Sequence, residues 1–539
     1  MKILIIFIAF SSCNNSNPID KSTVFRYNEH KNINSLDPIF AKDIANIQAV
    51  NQLFNGLVEM DNSLNVIPSI AKSWEISENG KRYTFNIDTT VKFHPHPKLK
   101  KRNVTAHDFE YSFKRLLDPK NASPGRWVFD KVENFNALND SVFEIELKLP
   151  FNAFLGILTM KYCSVVPRDI VEYYKDDFRS NPVGTGPFKF KRWEENIKLV
   201  LRKNNDYFQK DKNGNQLPYL EAVSITFLPE KQSEFLQLIK GKVDYISGLD
   251  NSYKDEIIDS NGKLNIYYEN EINMLRGPYL NTEYLAFFME SQKNEIKSDL
   301  IRKAINIGFD KRKMIKFLRN GVGIPANGGF IPTGLPGYKK TNVNRYNPEL
   351  AKNYVEKFKE KFNASPSLKL TTSSNYLDFC EFIQKELEKL GIEIIIDVIP
   401  GSALKQAKAN GKLDFFRASW IADYPDAENY LSLFYSKNFA PNGPNYTHFS
   451  DSKFDLLYEK SLEITNQEKS NNIYSKMDSL VMSKSIIVPL FYDEVIRFVS
   501  KNISGMKINA TNLLDLRSVK KTHSKEILST PKPASTVKK

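Results

Sequence analysis

At 539 residues the chain is too long for one ordinary hydrophobic core, so two or three domains are expected. A composition of 41% hydrophobic and 26% charged residues is that of a soluble globular protein, and beyond the first few positions no apolar run is long enough for a membrane-spanning helix. The net charge of +13 does not call for a nucleic-acid partner, because +6 of it comes from the end: Arg517, Lys520, Lys521, Lys525, Lys532, Lys538 and Lys539 stand against Glu526 alone, and elsewhere basic and acidic residues are mixed.

The start, "MKILIIFIAFSSCNNSN", places Lys2 before eight apolar residues, Ile3 to Phe10, and then small Ser11 and Ser12 before Cys13. This is the pattern of a secretory signal, too short to span a bilayer. The position of Cys13 resembles the lipobox of bacterial lipoproteins, with Phe10 where Leu is commoner. Residues 1–13 are therefore expected to be a lipoprotein signal, with Cys13 lipidated and "NNSNPIDKS" a tether; a plain secretory signal is the alternative. Several acyl chains would hold such a protein stably on a membrane.

Residues 50 to 150 mix short strands, "RYTFNI" and "VFEIELKL", with a helix around Phe109 to Leu117. "VGTGPF" at 183–188 lacks the third glycine of a dinucleotide loop and reads as a turn. A strand "AVSITFLP", a helix "EKQSEFLQLIKGK" and a strand "VDYIS" form an α/β piece. Two helices follow between Ile296 and Gly321: Ile296, Leu300, Ala304 and Ile305 mark one face, and Asp310 caps the second. Another helix begins at Pro348, capped by Asn347.

Residues 365 to 424 carry the clearest pattern. Strand "SLKLTTSSN" leads to a helix from Leu377 to Leu390 that Gly391 stops, with Cys380 in its core register beside Ile383 and Leu387. "IEIIIDVIP" is a β-branched run of the buried parallel-strand type. "SALKQAKANG" follows as a helix capped by Ser402, and "LDFFRASWIAD" closes a β-α-β-α-β unit with a parallel sheet. Beyond it, 521–539 has the composition of a disordered basic tail.

Signals for catalysis are poor. Six histidines are scattered, and "HPH" at 94–96 is a weak metal candidate. There is no H-E-x-x-H, G-x-S-x-G or Walker pattern. Cys163 and Cys380 make no disulfide framework. No enzyme activity and no cofactor are expected.

The stretch "RASWIADYPDAENYLSLFY", residues 417–435, sets Arg417, Asp423, Asp426 and Glu428 in an apolar and aromatic run. Buried charges need partners. In an extended chain Arg417, Ser419, Ile421 and Asp423 share one side, with Trp420 and Tyr424 on the other. Arg417 and Asp423 are then about 20 Å apart, placed for a carboxylate and an ammonium at the two ends of an extended peptide of roughly three to five residues. The backbone of 418–422 is free to pair with it. Equally compatible with these residues is an Asp423 that caps a helix and an Arg417 salt-bridged inside its own lobe.

A family resemblance bears on that choice. "NSLDPIFAKDIANIQAVNQLFNGLVEMDNSLNVIPSIAKSWEISENGKRYTFNI", "VTAHDFEYSFKRLLDP", "NPVGTGPFKFKRW", "NDYFQKDKNGNQLPYLEAVSITFL", "IRKAINIGFDKRKMIKFLRNGVGIPANGGFIP" and "WIADYPDAENYLSLF" resemble, in order, the extracytoplasmic oligopeptide- and dipeptide-binding proteins of ABC importers, solute-binding family 5. The resemblance implies an α/β, bilobal periplasmic-binding-protein fold (type II) of three domains, with mixed sheets and flanking helices. Domain I would comprise 14–55, 181–270 and 490–520, domain II 56–180, and domain III 271–489. It also implies a ligand site in which Asp423 meets the ligand's α-ammonium and Arg417 its carboxylate, with Ser419, Trp420, Ile421 and Tyr424 around them. Ile421 stands where some relatives have a disulfide cysteine, and Lys42 and Asp43 where some have an acidic residue.

The implied function is a monomeric, lipid-anchored receptor in the periplasm or at the cell surface, passing short peptides to the membrane permease of an ABC transporter. Haem or a nickel chelate on the same scaffold is the main alternative; a secreted hydrolase and an adhesin are further ones.

Overall fold

The computed structural model describes residues 23–98, 101–248, 253–340, 344–464 and 466–522. The signal and Cys13 lie outside them, as do residues 523–539 of the tail.

Two segments rich in aromatic and branched residues form the longest strands, Ile272–Phe287 (16 residues) and Ile487–Ser500 (14 residues), paired antiparallel. At roughly 3.3 Å per residue the longer one runs about 50 Å, more than one lobe needs. The pair forms the centre of an 11-stranded sheet. On one side follow Phe415–Ile421, Ser367–Thr372 and Glu393–Val398; on the other, Tyr245–Ser247, Val24–Asn28, Ala222–Thr226, Lys198–Lys203 and Phe188–Glu194. The ladder between the two long strands breaks register between Pro278 and Thr282, where proline supplies no amide donor. Before the break, 272–278 pair with 494–500; after it, 282–286 pair with 487–492. Ile272, Ile496 and Phe498 share a hydrophobic cluster with Phe235 and Leu238, whereas Leu285, Val488 and Leu490 share one with Leu370 and Phe415. The two halves of the long strands thus pack into different hydrophobic clusters on either side of this register break.

The mixed region is a four-stranded antiparallel sheet, Ala71–Ile76, Arg82–Ile87, Val142–Leu147 and Val132–Asn139. Helix Ala106–Leu117 lays Phe109 and Phe113 against Phe143. Asp108 accepts the Thr105 amide at 2.9 Å and both guanidinium nitrogens of Arg102 at 2.8 Å, which fixes the helix start. The core of this region is continuous with that around Phe25 and Val223.

"VGTGPF" is a turn, and close approach explains its glycines. A Cβ on Gly184 would lie 2.1 Å from the Leu53 carbonyl oxygen, and one on Gly186 2.4 Å from the Leu53 carbonyl carbon. Buried His94 reads this turn with both ring nitrogens: the Gly184 amide donates to Nδ1 (3.3 Å), so Nε2–H donates to the Gly186 carbonyl (2.9 Å). Burial pushes the imidazole down to about 4. The metal reading of "HPH" gives way to a structural one.

The β-α-β-α-β unit forms as expected, with Ser367–Thr372 parallel to both Glu393–Val398 and Phe415–Ile421. Three local expectations are corrected. Glu393–Val398 ends the sheet, and Ile395 and Val398 are exposed, so the β-branched run is an edge and not a buried strand. Helix Gly401–Ala409 starts after Pro400, which leaves Ser402 inside its first turn and not at the cap. Lys521 belongs to a strand, Lys520–Lys521, and pairs with buried Asp244 at 2.7 Å, so the solvated tail does not begin at 521. Cys163 and Cys380 are buried free thiols, and burial pushes both up, Cys163 to about 12. Among the described residues no helix is long and apolar enough to cross a membrane.

Candidate functional site

A cavity of about 520 Å³ opens beside this register break, a volume in the range of small-ligand sites. Tyr279, Ile421, Ala422 and Asp423 wall it on the side of the second lobe; Glu59, Lys161 and Tyr162 come from the mixed region, and Asp515 and Arg517 from the last described stretch. The lobes also touch directly: Asn152 donates to Ser470 Oγ at 3.0 Å, and the Trp127 and Tyr424 rings lie 6.4 Å apart. A larger groove of about 890 Å³ surrounds Asp37 and Arg115. Its buried guanidinium already holds that carboxylate through both nitrogens.

Asp423 stands where strand Phe415–Ile421 has just ended. The last ladder-like bond is from the Ala422 amide to the Leu280 carbonyl (2.9 Å), and the Asp423 amide then turns to Asn429 Oδ1 (3.2 Å). Asp423 is exposed on the cavity wall, and its carboxylate has no ion-pair partner among the described residues. The protein surrounding it raises its pKa above the usual carboxylate range by desolvation, and the Asn429 amide offsets this only in part. A positive group arriving there would restore the ionised form.

Arg417 is placed differently from what the sequence led us to expect. Its guanidinium is ion-paired with Glu283 and lies 3.1 Å from the centre of the Tyr376 ring. The side chains are 10% and 4% exposed, and Arg417 is not part of the cavity wall. The strand register explains this. Leu285 is opposite Arg417 and Glu283 opposite Ser419, so Glu283 is the diagonal neighbour of Arg417, within reach of a long side chain.

Of the remaining expected residues, Ile421 lines the cavity, half exposed, whereas Ser419, Trp420 and Tyr424 do not. The Trp420 indole N–H donates to Asn429 Oδ1 at 2.9 Å. The Tyr424 hydroxyl donates to buried Glu428, as does that of Tyr458. Asp426 accepts the Glu428 amide at 2.8 Å, and burial pushes its carboxyl up to about 6. Three of the four charged groups in this aromatic run thus have internal partners, although the buried Arg417 Nε has none. Asp423 is left over.

The opposite wall holds a charge cluster. Arg517 binds Asp515 at 2.6 Å and Glu59 at 2.7 Å and also donates to Gln209. The ammonium of Lys161, half-buried beside them, has neither a hydrogen bond nor an ion pair among the described residues. Burial pushes its ammonium down to about 8 despite Glu59 nearby. Its neighbour Tyr162 is pushed up to about 12, by burial and then by the charge of Asp423, so Asp423 acts on this wall across the cavity.

Residues 65–442 match the family description "Bacterial extracellular solute-binding proteins, family 5 Middle". The chain belongs to this family. It is 26% identical over 518 residues to the periplasmic oligopeptide-binding protein OppA of Salmonella typhimurium, with 90% of each chain covered. It is 25% identical over 478 residues to heme-binding protein A of Haemophilus influenzae, with 84% of each covered. The structure of DppA from Helicobacter pylori in complex with the peptide STSA superposes with a TM-score of 0.75 at 24% identity, over 92% of this chain and 98% of that one. The fold is the expected one: a bilobal, type II periplasmic-binding-protein fold with mixed sheets and flanking helices.

In this solute-binding protein, then, sequence reasoning found one wall of the cavity and missed the other. Glu59, Lys161, Tyr207, Asp515 and Arg517 come from four distant segments. The available signal was Lys161 itself, a lone cation in "FLGILTMKYCSVVP". Arg517, which the sequence groups with the basic charges at the end of the chain, is clamped between two carboxylates on the cavity wall.

Proposed function

We propose that this family 5 protein is an extracytoplasmic receptor that captures short peptides in the cavity between its lobes and releases them to the permease of an ABC transporter. Asp423 receives the peptide's α-ammonium. The observation that carries the reading is the unpaired Asp423 carboxylate on the cavity wall, in a run whose other charged groups each have an internal partner. An ammonium there gains charge-assisted hydrogen bonds in a partly desolvated site. Ile421 packs beside it. Capture works by differential contact: a ligand touching both Asp423 and the opposite wall favours the conformation in which the lobes meet, and the register break at Pro278–Thr282 is the segment that flexes.

Membrane attachment through lipidated Cys13 belongs to the same reading and is supported by the lipobox-like start. Metabolic labelling with a fatty acid, lost in Cys13→Ser, tests it.

Native mass spectrometry of the purified protein tests the ligand class. A population of short peptides of mixed sequence is the expected result. A single coloured or metal-bearing ligand would replace the peptide reading with that of a haem or metal-chelate receptor.

A further inference from the structure

We propose that Lys161 is the anchor for the ligand's free carboxylate, so that Asp423 and Lys161 together select short peptides with both termini unblocked. The inference rests on the peptide reading above and replaces Arg417 in the role the sequence assigned to it.

Three cationic side chains reach the cavity wall: Lys42, Lys161 and Arg517. Arg517 is fully engaged, with Asp515, Glu59 and Gln209 around its guanidinium. Lys42 is the more exposed of the two remaining lysines. Lys161 alone of the three combines partial burial with the absence of any direct acceptor among the described residues. Glu59 and Asp515 act on it electrostatically. Their oxygens are already turned to Arg517 and, for Glu59, to the Ser69 hydroxyl at 3.3 Å. A partly buried ammonium on the cavity wall with no protein acceptor among the described residues is the counterpart of Asp423, a carboxylate with no cation.

The charge balance of the wall points the same way. Lys42, Lys161 and Arg517 face Glu59, Asp61, Asp423 and Asp515, which leaves one net negative charge. A peptide with one ammonium and one carboxylate is admitted without adding to it, whereas a dianionic ligand is repelled. Lysine also suits a carboxylate that arrives at different angles in different peptides, because its ammonium is a compact charge on a flexible stem.

Titration calorimetry with trialanine, trialanine amide and N-acetyl-trialanine tests the assignment on the full-length protein. In the wild type, amidation should weaken binding by roughly 10- to 100-fold, the loss of a hydrogen bond to a charged group. Lys161→Met should lower the affinity of the free acid to that of the amide and leave the amide unchanged, which also reports that the site is intact. Lys161→Arg should keep the preference, and Lys42→Met should not alter it. A Lys161→Met protein that still prefers the free acid by the wild-type ratio overturns the role of Lys161 and leaves the peptide reading standing. If the wild type binds none of the three, and none of a broader panel of short peptides, both fall together.

Discussion

Glu59 and Arg517 are 458 positions apart in the chain and joined by a 2.7 Å ion pair on the cavity wall. Asp515, two residues before Arg517, completes the clamp at 2.6 Å. The contact ties the last described stretch to the mixed region, and it is what makes Arg517 a structural residue and not a tail charge. Arg517→Met would leave Glu59 and Asp515 without their direct ion-pair partner, with only Lys161 nearby as a cation. The expected cost is about 3 kcal/mol, the range for breaking a largely buried pair by removing one partner, and it is read as a lower urea midpoint. Adding Glu59→Gln should recover part of the loss, because one stranded charge is removed. An Arg517→Met midpoint equal to wild type would show that the clamp contributes nothing net.

Asp423→Asn should weaken free-amine peptides by about 2 to 5 kcal/mol and N-acetylated ones little. Equal losses in calorimetry would remove Asp423 from the site. The raised pKa adds a pH signature. Ammonium binding needs the ionised carboxyl, so affinity is present at neutral pH and is lost as pH falls through the raised pKa, earlier than for an ordinary aspartate. Stability of the empty protein has the opposite sign. A carboxyl whose pKa is higher folded than unfolded stabilises at low pH, and that stability is lost as pH rises through the folded value. Empty Asp423→Asn should therefore be more stable than wild type at neutral pH and equal to it in acid.

Much of this was readable in the sequence, and the failures share one cause. Elements with local signals came out: Asp310 caps Lys311–Arg319 by accepting the amides of Arg312 and Lys313, and Asn347 caps Pro348–Phe362 through the Leu350 amide. Asp423 was legible because a charge beside Trp420 and Tyr424 at a strand end stands out within its own segment. Arg417 stands out equally, but its internal partner is not legible, because Glu283 lies on a strand 134 positions earlier and only the pairing register brings them together. The edge position of Glu393–Val398 is likewise a property of the sheet order: the same β-branched run would be buried one place further in.

The Arg417–Glu283 pair makes its own prediction. Both groups are buried, and burial raises the Glu283 carboxyl while Arg417 opposes that. Glu283→Gln should strand the guanidinium and cost about 3 to 5 kcal/mol of stability. Exchanging both residues for apolar ones of similar size, Glu283→Leu with Arg417→Met, should cost much less. In either protein, if folded, the preference for free-acid over amidated peptides should persist, because Arg417 does not line the cavity. Loss of that preference in the double variant would return the carboxylate role to Arg417.

Acid sensitivity should trace in part to His94, buried under the glycine turn that meets the end of helix Ile44–Leu53. Its imidazole is held neutral, with a folded value of about 4 against an ordinary 6.5. Between those two values the unfolded chain binds a proton that the folded protein refuses, so stability falls as pH drops from about 6.5 to about 4, by roughly 3 kcal/mol for a shift of this size. His94→Gln keeps a donor and an acceptor at the turn but cannot titrate. It should be less stable than wild type at pH 7, since the ring packing is lost, and the difference should shrink or reverse at pH 4.5. Urea midpoints for both proteins at the two pH values decide this: parallel losses on acidification would show that His94 is not the group responsible.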